Sequence, residues 1–174
     1  MSNFEGLCTL VPVAEGHEDE LRDHLERLPD GPRSPMIRVH GTHYARWAIV
    51  HLEGRDGGPI RAEPPYLLFA AEFDGDVEEY SRRLCAGLGS DARDIWRHCV
   101  GYPGDDPIAL AGFLLAHRVG PGYSVVAYAD ATVERVRAAF ALRERLNDFL
   151  VRTADLDSRA LKYAWQNRFR GWGR

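Results

Sequence analysis

A chain of 174 residues is long enough for one domain that buries about 70% of its unfolded surface. Its 45% apolar and 28% charged residues argue against disorder, and a net charge of −4 gives no overall drive toward nucleic acid or an anionic membrane. No stretch has the roughly 18 uninterrupted apolar residues of a membrane span, and "MSNFEGLCTLVPVAEG" lacks the pattern of a signal peptide. Cys8, Cys85 and Cys99 are odd in number and form no C-x-x-C pair, which disfavours a disulfide framework or zinc ribbon. The expectation is a cytoplasmic protein.

The first element is a short β-segment, "GLCTLVPVA" (6–14), followed by "HEDELRDHLERLP", where Leu21, Leu25 and Leu28 are spaced for one helical face. Pro29, Gly31, Pro32 and Pro35 then interrupt the chain. Residues 42–52 and 66–73 read as two strands joined by a polar loop longer than a tight hairpin needs. "FDGD" leads into a helix that Asp76 caps with Glu79, and Val77, Tyr80, Leu84 and Leu88 form its apolar stripe. A shorter helical piece, "DARDIWRHC", precedes the turn "GYPGDDP", and Pro107 opens the helix "IALAGFLLAHRV". After "GPG", "YSVVAYA" (123–129) reads as a fourth strand. Two helices follow, one marked by Val133, Val136, Phe140, Leu146 and Phe149, the other by Leu161, Trp165 and Phe169.

This order, β-α-β-β-α(α,α)-β and two more helices, predicts an α+β, ferredoxin-like split βαβ fold. The expected domain covers 1–174, with 131–170 as a C-terminal helical extension. Its four-stranded antiparallel sheet carries helices on one face and has an elaborated second crossover. The other sheet face is partly apolar, so a homodimer is expected to cover it.

Strand alternation then sorts the chemistry. Leu67, Phe69, Ala71 and Phe73 form an unbroken apolar face and belong against the helices, leaving Tyr66, Leu68, Ala70 and Glu72 on the open face. In "HGTHYARWAIVH", His43, Ala45, Trp47, Ile49 and His51 share one side, and Tyr44, Arg46, Ala48 and Val50 the other. A loop centred near Gly58 sets Glu72 opposite His43 or Tyr44, with Arg46 nearby. A carboxylate beside an imidazole suits proton abstraction, because the acid orients the ring and stabilises its cation. The competing reading makes Glu72 and Arg46 an internal ion pair. His43 and Arg46 differ in parity, so they share a pocket only across a bulge.

His43 and His51 lie too far apart along a strand to hold one metal ion, and no metal site is expected. In "WRHCVGYPG", His98 and Tyr102 are either pocket residues or parts of a packed turn, and His98 or His117 could be an axial haem ligand. His17 and His24 are assigned to a solvated helix face. The tail "RALKYAWQNRFRGWGR" mixes arginines and aromatics, but its aromatics fit a packing stripe better than a nucleic-acid platform.

"THYARW", "LLFAAEFDGD" followed by "EEY", and "IWRHCVGYPG" resemble segments of a group of bacterial proteins mostly without assigned activity, within the dimeric α/β-barrel superfamily. The resemblance spans about residues 7 to 150. It implies a pair of ferredoxin-like sheets and a superfamily range that includes cofactor-free monooxygenases, polyketide cyclases, isomerases, haem peroxidases and binding proteins. "AEFDGD" keeps only the Asp-Gly of the haem peroxidases' Gly-x-x-Asp-Gly signature.

The combined expectation is a small-molecule enzyme using acid–base chemistry on an apolar or polyketide-like substrate: a cyclase, isomerase or cofactor-free monooxygenase. His43 is the expected base, Glu72 its orienting acid and Arg46 the enolate or carboxylate partner. Trp47, Tyr44, Tyr66, His98 and Tyr102 are the expected binding residues. No cofactor is required in that reading; a haem protein and a non-catalytic assembly module are the alternatives.

Overall fold

The computed structural model describes residues 4–52, 64–120, 127–128 and 130–170. They fall into two compact units, Met1–Val133 and Glu134–Arg174.

The first unit is built on three strands: β1 (Phe4–Pro12), β2 (Thr42–Val50) and β3 (Tyr66–Asp74). Their order is β1-β3-β2, with β3 antiparallel to both neighbours. β1 and β2 thus run parallel on either side of β3, as a split βαβ unit requires. Helix α1 (Glu18–Arg27) and two short 3₁₀ turns connect β1 to β2. The second crossover contains α2 (Val77–Leu88), α3 (Ser90–Trp96) and α4 (Pro107–Ala116).

The expected four-stranded sheet is corrected to three strands among the described residues. After α4 the chain does reach the outer edge of β1: Leu10 donates to the His117 carbonyl at 3.1 Å and Val119 to the Cys8 carbonyl at 2.8 Å. That contact is a single isolated bridge, Thr9 to Arg118. The sequence then runs into Gly120-Pro121-Gly122, and a proline cannot donate to a ladder. The segment assigned to the fourth strand, 123–129, lies outside the described residues except for Ala127 and Tyr128, neither of which is in a strand.

Strand alternation builds the core. Leu7, Val11, Leu67, Phe69, Ala71 and Phe73 face the helices and are buried with Leu21, Tyr80, Leu84, Leu88, Ile95, Trp96, Leu110 and Leu114. Trp47, Phe69 and Trp96 form an aromatic cluster with centroid separations of 5.1 to 6.3 Å. Asp76 caps α2 by accepting from Glu78 and Glu79, and Asp106 caps α4 by accepting from Ile108.

The second unit is a helical pair, α5 (Val133–Arg152, whose first residue belongs to the first unit) and α6 (Ser158–Arg168). Asp157 caps α6, and Phe149, Trp165 and Phe169 pack together at centroid separations of 4.4 to 5.5 Å.

Candidate active site on the open sheet face

The decisive local feature is a register shift in β2 between Thr42 and Tyr44. Thr42 stands opposite Phe73 and Tyr44 opposite Glu72, so His43 is the extra residue of a bulge. Gly41, at φ +81°, turns the chain into this strand, and its carbonyl accepts from Asp74 N–H at 2.8 Å. Thr42 is drawn toward the helices, where its hydroxyl donates to the Val39 carbonyl at 3.0 Å and lies 3.1 Å from the Tyr80 hydroxyl. Downstream, Ala45, Trp47 and Ile49 pack against the core.

The bulge lets His43 join Tyr44 and Arg46 on the open face despite their parity. The carboxylate that meets it is Asp74: His43 Nε2 and Asp74 Oδ1 are 2.9 Å apart, with side chains 21% and 19% exposed. Asp74 is fixed from several directions. Its Oδ2 accepts from Val133 N–H at 2.8 Å, and its carbonyl accepts from Arg83 Nη2 at 3.2 Å. The Phe4 ring lies 5.3 Å from the His43 ring, on the strand residue that pairs with Asp74. This is a histidine–carboxylate dyad in a half-covered setting. With Nε2–H given to Asp74, Nδ1 is left as the basic nitrogen.

Glu72 is exposed and flanked in the sheet by Tyr44 and Gly6. Arg46 is also exposed, opposite Ala70, two positions further along β3 than Glu72's partner Tyr44. Tyr66 occupies the far end of β3, opposite Val50 and Pro12. Tyr44 is 52% exposed. Between these polar groups lies a half-buried apolar floor of Cys8, Leu10, Ala48, Leu68 and Ala70.

Three of the expected binding residues are elsewhere. Trp47 faces the helices and packs on Phe69 and Trp96. Tyr102 lies at a cavity of about 210 Å³ bordered by Cys85, Arg93, Asp105 and Leu110. Its hydroxyl donates to Asp105 Oδ1 at 2.9 Å, and burial, reinforced by the Asp105 carboxylate, pushes the phenol up to about 12. That cavity is smaller than the ~300 Å³ at which small-molecule pockets begin. His98 is 1% exposed, at the opposite end of β1, and its Nδ1 lies 3.2 Å from His17 Nδ1. Burial, followed by the Arg97 charge, holds the His98 imidazole below the usual histidine range. His117 uses Nδ1 to bond the Phe113 carbonyl at 2.9 Å and packs its ring on that residue at 4.4 Å.

Two functional candidates escape strand-by-strand reading. Asp74 shares its face with Glu72, two residues away, yet "FDGD" reads as a turn signal. His17 reads as part of a solvated helix face, whereas the structure places it at the N-cap of α1 beside His98. Among the described residues, no helix is long and apolar enough to cross a membrane. No family model, curated protein or solved structure matches the chain.

Proposed function

We propose that the protein is a small-molecule enzyme that moves a proton on the open face of its sheet, with His43 as base and Asp74 as the group that orients it. The 2.9 Å contact between His43 Nε2 and Asp74 Oδ1 carries this reading. The carboxylate holds one tautomer, presents Nδ1 to the substrate and stabilises the imidazolium that forms when a proton is taken. A C–H beside a carbonyl is the matching substrate feature, since its loss leaves an enolate that the Arg46 guanidinium can steady. The apolar floor and the Tyr44 and Tyr66 rings suit an apolar or aromatic, polyketide-like compound. Cyclisation, isomerisation and cofactor-free oxygenation all begin with such an enolate. A second copy of the chain is the proposed cover for this face, because the floor of Leu10, Leu68, Ala70 and Ala48 is apolar and only half-buried.

Proton abstraction can be read without knowing the final product. Aryl ketones and β-dicarbonyl compounds are incubated with the protein in D₂O, and loss of the α-proton signal is followed by NMR. The wild-type protein exchanges at least one of them faster than buffer, and His43→Ala, with unchanged circular dichroism, returns it to the buffer rate. Exchange that is equally fast in His43→Ala would remove the dyad from the mechanism.

A further inference from the structure

We infer that His17, Glu20 and His98 form a binding site for a divalent transition cation of zinc-like preference. One ligand atom from each residue lies within 4.8 Å of the other two. His17 Nδ1 and His98 Nδ1 are 3.2 Å apart, and His98 Nδ1 is 3.8 Å from Glu20 Oε2. Tetrahedral zinc with bonds near 2.0–2.1 Å sets its ligand atoms about 3.3 Å from one another, so these spacings fit around one ion with little movement. Two imidazole nitrogens at such a distance share either a proton or a metal.

The backbone pre-forms the cluster. His17 and Glu20 are three residues apart at the start of α1, which puts them on one helix face. His17 sits at the N-cap position yet makes no side-chain capping bond there. His98 is held against this segment by its own carbonyl, which accepts from Ala14 N–H at 2.8 Å, and by the Val13–Cys99 bridge. Two histidines and a glutamate leave the fourth tetrahedral position open to water or a substrate oxygen. Glu18, Asp19 and Glu20 in the first turn of α1 offset the positive end of its dipole.

Arg97 opposes the ion. Its Nε faces His98 Nε2 at 3.4 Å, and its Nη2 is 3.6 Å from Glu20 Oε1. Coordination through His98 Nδ1 needs the proton on Nε2, so the exposed Arg97 side chain must turn away as the ion enters. The site is independent of the His43–Asp74 dyad: it lies beyond Pro12 on β1, whereas Asp74 pairs with Phe4 at the strand's other end.

Untagged, chelator-treated full-length protein is titrated with Co(II), followed by absorption, and with Zn(II) against a chromophoric chelator. The expected result is one ion per chain, with the intense visible bands of four-coordinate Co(II) and a rise in melting temperature. His17→Ala and Glu20→Gln, both at the edge of the fold, each weaken binding about tenfold or more. His51→Ala, whose ring is 3.0 Å from Glu18 Oε1, leaves binding unchanged. Absence of stoichiometric binding, equal binding in His17→Ala and Glu20→Gln, or an equal loss in His51→Ala would each overturn the assignment.

Discussion

Tyr80 is the anchor beneath the β2 bulge, and replacing it tests how the bulge is held. The residue is 0% exposed, its ring stacks on Phe73 at 3.7 Å and 2°, and its hydroxyl is 3.1 Å from Thr42 Oγ1. Thr42 already gives its proton to Val39, so Tyr80→Phe removes one hydrogen bond and strands no donor. The expected loss is about 1 kcal/mol, or roughly 2–4 °C in melting temperature for a chain of this size. Tyr80→Ala also removes the stacked ring and leaves a cavity, for a loss of about 4–6 kcal/mol. Urea denaturation followed by tryptophan fluorescence measures both. Alkaline pH supplies an internal control, because burial pushes the Tyr80 phenol up from 10 to about 12. The unfolded phenol ionises from about pH 10 while the folded one stays protonated, so wild-type stability falls between pH 10 and 12. Phenylalanine has no such contribution, and the Tyr80→Phe deficit must shrink across that window. A Tyr80→Ala protein as stable as wild type, or a Tyr80→Phe deficit that grows above pH 10, would refute the reasoning.

Three further outcomes follow from the same structure. Burial pushes the Cys85 and Cys99 thiols up from 9 to about 12, so the fold loses stability as pH rises from 9 toward 12, and both thiols react with a chromogenic disulfide only at the rate of unfolding, as stopped-flow absorbance will show. Light scattering during size exclusion should give a mass twice the 19.6 kDa of the chain, and Leu68→Arg, on the open face, should give the single-chain mass. Asp157 accepts from Arg159 and Ala160 N–H at 2.8 and 2.9 Å, so Asp157→Ala should destabilise the α5–α6 pair by about 1 kcal/mol in thermal melts.

Alternation made the faces of β3 legible: Leu67, Phe69, Ala71 and Phe73 carry no polar interruption, and the structure buries all four. The loop midpoint near Gly58 leaves His43 or Tyr44 opposite Glu72, and the structure pairs Tyr44 with it. Counting stops at a bulge. His43 changes face through Gly41's left-handed turn and Thr42's attraction to Tyr80, and the latter is a contact across 38 residues that no local pattern signals. For that reason parity sent His43 with Trp47, whereas the structure separates them. The sheet has three strands among the described residues, and the expected fourth rests on the composition of "YSVVAYA", most of which lies outside them; β-propensity reports fitness for a pleated surface and names no partner. The helical pattern around His17 carries no sign of its neighbour His98, which is 81 residues away and arrives through the main-chain bond to Ala14.

The central claim is that Asp74 orients His43 for proton transfer, and comparing two carboxylate variants tests it directly. In the D₂O exchange assay, Asp74→Asn keeps the shape but deprives the imidazole of its anionic partner, and should slow exchange by about 10²–10⁴-fold. Glu72→Gln, on the same face but paired across the sheet with Tyr44, should cost far less. Full activity in Asp74→Asn, or the larger loss in Glu72→Gln, would contradict the assignment.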